Sequence, residues 1–195
     1  MKNNSLSQKT KGKGEFFIVG TSDEIRHLAK SQKRYVGEKY DINGAIASVC
    51  VKDVANYTRN SDHFLTGQDQ NGNTQKFKSG SQCNWLWTGS YKRPITWQNT
   101  ICSFMKIQNL SQLYVLSVFF KNDNEILDGN PFIGGTQEKN ETHLQAAHRE
   151  LLEEVGLRVN ENAKLCKLPT VSKEKCIWLV EAKDVYDAKC MPKNK

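Results

Sequence analysis

The sequence predicts an α+β protein built around one domain of ordinary size. Residues 141–155 combine strong helix formers with apolar residues at helical spacing. Short segments rich in Val, Ile and Phe, of which 113–121 and 175–182 are the clearest, are typical of strands. A length of 195 residues with 37% hydrophobic residues is enough for one core. Together these observations predict strands and helices in a single compact fold.

The N-terminal end combines a polar tail with two short elements. Residues 1–14 have almost no apolar content, and we expect a disordered basic tail there. Residues 15–20 have the composition of a strand. Ser22 is expected to cap a helix over residues 22–30.

The next part of the chain predicts further strands. Residues 42–54 are rich in Val and Ile, which favours a strand. Asn71-Gly72 is a hairpin signal if Phe64-Leu65 and Lys76-Phe77 flank it as strands. We therefore divide the chain into the tail, an N-terminal segment over 15–95 without an assigned fold, and a C-terminal domain over 96–195.

An aromatic cluster closes the N-terminal segment. Its members are Trp85, Trp87, Tyr91 and Trp97. They could stack on a nucleobase with Lys92 and Arg93 near its phosphates, or they could pack in the core. We favour core packing, because Trp is well buried on average.

The C-terminal domain is predicted as strands around one helix. Strands are expected at 101–107, 113–121, 125–127, 164–167 and 175–182, with a turn at 122–124 and a loop at 128–131 leading to Gly134-Gly135. Asn140 is the expected N-cap of the helix, and Gly156 suits a left-handed C-cap. The apolar stripe that faces the core is Leu144, Ala147, Leu151 and Val155.

The opposite face of this helix carries crowded charges. Glu150, Glu153 and Glu154 converge, because residues three and four apart are neighbours on a helix. Such crowding is tolerated on a solvated surface or around a hard cation, and oxygen-only ligands suit Mg2+ or Mn2+ rather than zinc. Mg2+ shares its coordination with phosphate oxygens, which indicates a phosphate or diphosphate substrate. Arg149 is expected to pair with Glu141 or Glu153.

The segment 135–157 resembles the Nudix box. A chance match to its nine fixed positions has a probability of about one in a billion per starting position. The residues that fill them are Gly135, Glu141, Arg149, Glu150, Leu151, Glu153, Glu154, Gly156 and Leu157.

The resemblance implies a Nudix-type α/β/α sandwich with a mixed sheet and a role for each charged residue of the box. Glu150, Glu153 and Glu154 would ligate Mg2+ or Mn2+, and Arg149 would orient a metal-binding glutamate. Glu141, Arg149 and Glu153 are the implied catalytic residues. The implied reaction is hydrolysis of a nucleoside diphosphate linked to another group, through a metal-activated water.

The sequence departs from the family pattern in three places. Ile133 stands where proline is frequent before the two glycines, and Asn140 stands where glycine is frequent before Glu141. Family members also close with a second helix on the other side of the sheet, and residues 183–195 are too polar to form it. Either residues 15–31 supply the missing layer, or the chain is a truncated product with an incomplete fold.

The charge distribution and the cysteines indicate which partners and which cellular compartment to expect. Residues 1–95 carry 15 Lys and Arg and 8 Asp and Glu, whereas residues 96–195 carry 13 of each, so the net charge of +7 lies in the first half. A basic half favours RNA as a partner beside a nucleoside diphosphate-linked small molecule, unless it is only a solvated tail. No apolar run approaches the length of a membrane span, and the cysteines are expected to be free thiols of a cytoplasmic protein. An inactive nucleotide- or partner-binding module and an RNA 5′-end pyrophosphohydrolase are the alternative functions, and no oligomeric state is predicted.

Overall fold

The computed structural model describes residues 12–31, 46–51, 65–68, 72–79, 94–121, 127–170 and 174–188. The helices of these ranges are α1 (Ser22–Ser31), α2 (Pro94–Met105) and α3 (His143–Val155). The strands are β1 (Lys13–Gly20), β2 (Ile46–Cys50), β3 (Leu65–Gln68), β4 (Thr74–Ser79), β5 (Tyr114–Lys121), β6 (Leu127–Asn130), β7 (Ile133–Thr136), β8 (Leu157–Val159), β9 (Cys166–Leu168), β10 (Lys175–Glu181) and β11 (Val185–Asp187).

The main sheet is mixed, as predicted. Its order is β2-β3-β4-β6-β5-β1-β10-β9, and β7 pairs with β1 beside this path. The pairs β1–β10 and β4–β6 are parallel, and the others are antiparallel. A separate two-stranded sheet joins β8 to β11. The predicted α+β class with a mixed sheet is confirmed.

Strand β1 holds the centre of the fold together. It pairs with β10 along Lys13–Val19, with β7 at its beginning and with β5 at its end. Phe16, Phe17, Ile18 and Val19 are all fully buried. The N-terminal segment therefore contributes a central strand to the sheet, whereas residues 15–31 were expected to supply the second helical layer, and the strand begins two residues before its predicted start.

Helices α2 and α3 cover opposite faces of this sheet. The ring of Phe16 contacts that of His148 on α3, with centroids 5.1 Å apart, whereas Phe17 contacts Trp97 on α2 at 6.3 Å. Neighbouring residues of a strand point to opposite faces. The arrangement is an α/β/α sandwich in which α2 supplies the layer opposite the box helix.

Helix α2 corrects the prediction of a strand at 101–107. Pro94 occupies the first helical position, where its fixed φ suits a helix and its missing N–H costs nothing. Trp97 and Ile101 lie one turn apart and are both buried. The short apolar run that contains them is compatible with the spacing of a helix and with that of a buried strand, which explains why a strand was predicted. For Trp97, the expected core position is confirmed.

The predicted hairpin is present and extends the sheet. Strands β3 and β4 pair with Leu65 opposite Phe77, and Gly72 between them has φ of 86°, which glycine adopts without strain. Strand β2 pairs with both β3 and β5, and β4 pairs with β6. These pairings close a ring of five strands with β5 and β6, so the hairpin region is joined to the C-terminal strands.

Several smaller predictions need correction. Thr21, not Ser22, caps α1: its Oγ1 accepts from the N–H of Glu24, whose Oε1 accepts from the N–H of Thr21. Part of the predicted loop at 128–131 belongs to β6. The predictions for residues 1–11, Trp85, Trp87, Tyr91, Lys92, Arg93 and the turn at 122–124 lie outside the described residues.

The remaining predictions concern thiols and membranes. Cys50, Cys102, Cys166 and Cys176 are free thiols, as expected. Among the described residues, no helix has the length and apolar character needed to cross a membrane.

Candidate active site on the box helix

The two glycines before the helix, Gly134 and Gly135, belong to strand β7. Strand β7 pairs with the start of β1, and Gly135 lies opposite Gly14. A β-carbon on Gly135 would lie 2.7 Å from Cδ of Glu150. Glycine at this position therefore allows the carboxylate of Glu150 to approach the β7 backbone.

The start of α3 corrects the predicted cap. Thr142 is the N-cap: its side chain accepts from the N–H of Gln145, and the Gln145 side chain accepts from the N–H of Thr142. This is a capping box. Asn140 instead has φ of 65°, a left-handed conformation that Asn tolerates better than most residues. The same property accounts for Asn140 where the family pattern often has glycine.

The end and the buried face of α3 follow the prediction. Gly156 is the C-cap with φ of 68°. The predicted stripe is buried at Ala147, Leu151 and Val155 and half-buried at Leu144. Leu157, which opens β8, is also fully buried. This packing fixes the helix against the sheet and leaves its charged face directed away from the core.

Arg149 gathers the acidic side chains of the box. Its Nε donates to Oε2 of Glu141 at 2.8 Å, and its Nη2 donates to Oε1 of the same carboxylate at 3.1 Å. Its Nη1 donates to Glu150 at 2.8 Å and to Glu153 at 3.1 Å. Its Nη2 also donates to the backbone oxygen of Thr136 at 3.0 Å. One guanidinium thus joins Glu141, Glu150, Glu153 and strand β7.

These contacts shift the ionisation of both main partners. The hydrogen bond from Arg149 holds the pKa of Glu141 below its usual value, and the N–H of Glu138, 2.8 Å from Glu141 Oε1, acts in the same direction. The hydrogen bond to Glu141, followed by the one to Glu150, raises the pKa of Arg149 further above its usual value. The pair is therefore fully charged at neutral pH.

The donor set suits a hard divalent cation, although the carboxylates contact the guanidinium in this arrangement. Glu154 is half-buried and lies one turn after Glu150 on the same helix face. All candidate ligands are carboxylate oxygens, which Mg2+ and Mn2+ prefer. Within the described ranges, no group of three or more His, Cys, Asp or Glu is already arranged to hold a metal ion. Glu150 and Glu153 would have to turn from Arg149 to ligate one.

Sequence reasoning missed Gln137, which ties the box to β1. Its Oε1 accepts from the N–H of Gly12 at 3.1 Å, and its own N–H donates to the Gly12 oxygen at 2.8 Å. Its Nε2 donates to the backbone oxygen of Glu141 at 2.8 Å. Gln137 and Gly12 are 125 positions apart, so no local pattern could have indicated this contact.

The fold and site define an α/β/α sandwich whose box helix presents an arginine-centred acidic cluster. Residues 118–187 match the family model of the NUDIX domain, a stretch that contains the whole segment 135–157. Residues 118–187 therefore form the part of the chain that matches a Nudix domain, and the resemblance of the segment 135–157 is confirmed. No curated protein and no solved structure matches the chain.

The family assignment carries a general chemistry. Nudix domains hydrolyse phosphorus-containing anhydrides, generally with divalent metals such as Mg2+ and on nucleoside diphosphate-linked substrates.

Proposed function

We propose that this protein is a Mg2+-dependent pyrophosphohydrolase that cleaves the diphosphate linkage of a nucleoside diphosphate derivative. The observation that carries the proposal is the convergence of Glu141, Glu150 and Glu153 on Arg149, at a glycine that lets Glu150 approach the sheet. The remaining charged residue at a fixed position of the box is Glu154, which is on the same face of α3 as Glu150. Mn2+ is an alternative metal of the same ligand preference.

The proposed roles follow from the contacts of each residue. Glu150, Glu153 and Glu154 would hold the cation, which when bound neutralises phosphoryl charge and activates the attacking water. Arg149 positions Glu150 and Glu153 through its Nη1. Glu141 fixes Arg149 with two hydrogen bonds, and together with Arg149 and Glu153 it forms the proposed catalytic group.

The substitution Glu154→Gln tests the metal role. We expect the fold to persist and turnover to fall by orders of magnitude, because one ligand oxygen loses its charge. Glu161→Gln, an exposed acid on the turn after β8, is the matched control and should leave turnover unchanged. Circular dichroism verifies the fold. Undiminished Mg2+-dependent turnover in Glu154→Gln overturns the assignment.

A non-catalytic nucleotide- or partner-binding module is the second candidate. It is favoured by one observation, namely that Arg149 binds the carboxylates of Glu150 and Glu153 together. The test is equilibrium dialysis of ADP-ribose or a capped nucleotide with either metal, followed by product analysis. Saturable binding without product after long incubation supports this candidate, and product formation excludes it.

RNA 5′-end hydrolysis is a third candidate, which the net charge of +7 in residues 1–95 motivates. It predicts RNA binding with a steep salt dependence that deletion of residues 1–11 weakens. Release of the 5′ end, measured on a labelled transcript, distinguishes it from nonspecific adhesion of a basic tail. A cytoplasmic location is proposed for all three candidates.

A further inference from the structure

A groove lies on the face of the sheet that α2 covers. Its volume is about 650 Å³, which is within the usual range for small-molecule pockets. Its lining comes from α2 and from β9, β10 and the residues after β9: Thr100, Lys167, Leu168, Pro169, Thr170, Lys175 and Cys176. The wall thus combines two ammonium groups and two hydroxyls with the exposed ring of Pro169, which follows the buried Leu168.

Lys175 is held in this wall by a buried carboxylate. Its Nζ lies 3.6 Å from Oε1 of Glu15 and 5.9 Å from the ring centroid of Phe132. The side chain of Glu15 is only 10% exposed, whereas that of Lys175 is 25% exposed. Oε1 of Glu15 accepts no hydrogen bond within the described ranges, so the ion pair alone compensates it. The buried Glu15 therefore holds the ammonium group of Lys175, which is partly exposed to solvent in the groove.

The groove and the box site lie at the same end of the sheet, on its opposite faces. Lys175 is the register partner of Lys13 on β1, and Lys13 is also the partner of Thr136 on β7. The backbone oxygen of Thr136 accepts from Arg149. Two strand spacings, about 10 Å, therefore separate the backbone of Lys175 from the strand that Arg149 contacts.

We propose that this groove binds the nucleotide half of the substrate, with Lys175 and Lys167 on its phosphate and Pro169 against the face of its base. This inference rests on the proposed function for the identity of the substrate, whereas nucleotide binding to the groove can be tested without any hydrolysis. Ammonium groups are point-charge partners for phosphate, and the Thr100 and Thr170 hydroxyls supply neutral polar groups beside them. Glu15 acts as a positioning residue that orients Lys175.

Metal-free binding isolates the groove from the box. With EDTA present, the cluster of Glu141, Glu150, Glu153 and Arg149 carries an excess of negative charge and repels phosphate. Titration calorimetry with ADP, GDP, CDP and UDP under these conditions therefore reports on the groove. We expect at least one of them to bind, and its addition to shift the amide NMR signals of Thr170 and Cys176 rather than those of Gly135 and Glu150.

Substitutions of single lysines test which ammonium group binds the nucleotide phosphate. Lys175→Gln should weaken binding about tenfold, as expected for loss of a charge-assisted contact, and the exposed Lys167→Gln about threefold. Lys164→Gln, an exposed lysine outside the groove lining, is the control and should leave the dissociation constant unchanged. Lys175→Gln leaves the carboxylate of Glu15 buried without its ion-pair partner, which can unfold the protein. In that case the double variant Glu15→Gln with Lys175→Gln replaces it in the binding measurement.

The outcomes separate this inference from the proposed reaction. No binding of any of the four nucleotides, or equal binding by the wild type and the folded double variant, overturns the groove assignment. Either result leaves Mg2+-dependent hydrolysis and its loss in Glu154→Gln to be judged independently. Weaker nucleotide binding in the lysine variants, with normal binding in Lys164→Gln, supports it.

Discussion

The two faces of the central sheet differ in what their helices bring to it. Helix α3 places Arg149, Glu150 and Glu153 near β7, and charge-assisted hydrogen bonds join them to Glu141, which precedes the helix. Helix α2 places Trp97 against Phe17 and Phe132, in an apolar cluster that ends at the lysine-lined groove. Under the proposed function one face carries the phosphoryl chemistry, whereas the other carries apolar packing and the groove.

The contrast separates residues that determine stability from those that determine activity. Adjacent core residues of β1 pack towards the two helices, since Phe16 faces α3 and Phe17 faces α2. A change on the α2 face should therefore act mainly on the free energy of unfolding, whereas a change at the box should act mainly on turnover.

The largest effect is expected for Trp97→Ala. The side chain is 1% exposed, and its Nε1 donates to the backbone oxygen of Pro169 at 2.8 Å. Removing the ring should lower the free energy of unfolding by about 3–5 kcal/mol, measured by denaturant titration. Trp97→Phe, which keeps an aromatic ring, should cost less. The division between faces is wrong if Trp97→Ala leaves stability unchanged but abolishes turnover of the folded fraction.

Gly135→Ala should show the opposite behaviour. The new methyl group would collide with Glu150, whose Cγ lies 2.8 Å from the position of an added β-carbon. We expect kcat to fall about a hundredfold, as displacement of reactive groups by about 1 Å does elsewhere. The neighbouring Thr136→Ala is the control, because Arg149 uses only the backbone oxygen of Thr136. Equal kcat values for both variants contradict the proposed approach of Glu150.

Thr142→Ala should have a smaller effect, and mainly on stability. It removes the side chain that accepts from the N–H of Gln145 in the capping box of α3. Loss of such a cap costs about 1 kcal/mol. Thr21→Ala at the start of α1 is a matched comparison, since Thr21 accepts from Glu24 in the same way. Thermal unfolding of both variants measures the difference, and an unchanged midpoint for Thr142→Ala would show that the cap is dispensable.

The smallest effect concerns pH. Because Arg149 lowers the pKa of Glu141 in the folded protein, the pair stabilises the fold above the unfolded pKa, about 4.3 for Glu. This contribution disappears as the pH falls through the lower folded value. The melting temperature of the wild type should therefore decrease more steeply below about pH 4.3 than that of Glu141→Gln. Parallel curves would contradict the assigned pairing.

The charged face was predictable because its information is local. The spacing of Glu150, Glu153 and Glu154 places them on one helix face, the four-residue spacing of Arg149 and Glu153 predicts their pairing, and Gly156 marks where the helix ends. The cap was placed two residues early, at Asn140 instead of Thr142, because both residue types favour a helix start. Helix boundaries depend on backbone geometry that composition does not determine.

The other face was not predictable, because its contacts join distant parts of the chain. Trp97 meets Phe17 and Phe132 only because β1 lies in the middle of the sheet. The pair Glu15–Lys175 likewise depends on the register of β1 with β10. Neither pairing leaves a pattern in the sequence. The N-terminal segment was expected to complete the fold, but the central position of β1 in the sheet was not predicted.

Product analysis by mass spectrometry tests the central claim most directly. The wild-type protein is incubated with NTPs, ADP-ribose, NADH, dinucleoside polyphosphates and capped RNA, with Mg2+ and separately with Mn2+. The account predicts cleavage within the diphosphate linkage of at least one substrate, dependent on metal and strongly reduced in Glu154→Gln. Binding of these compounds without any metal-dependent product would contradict it and would identify the protein as a Nudix-fold binding module.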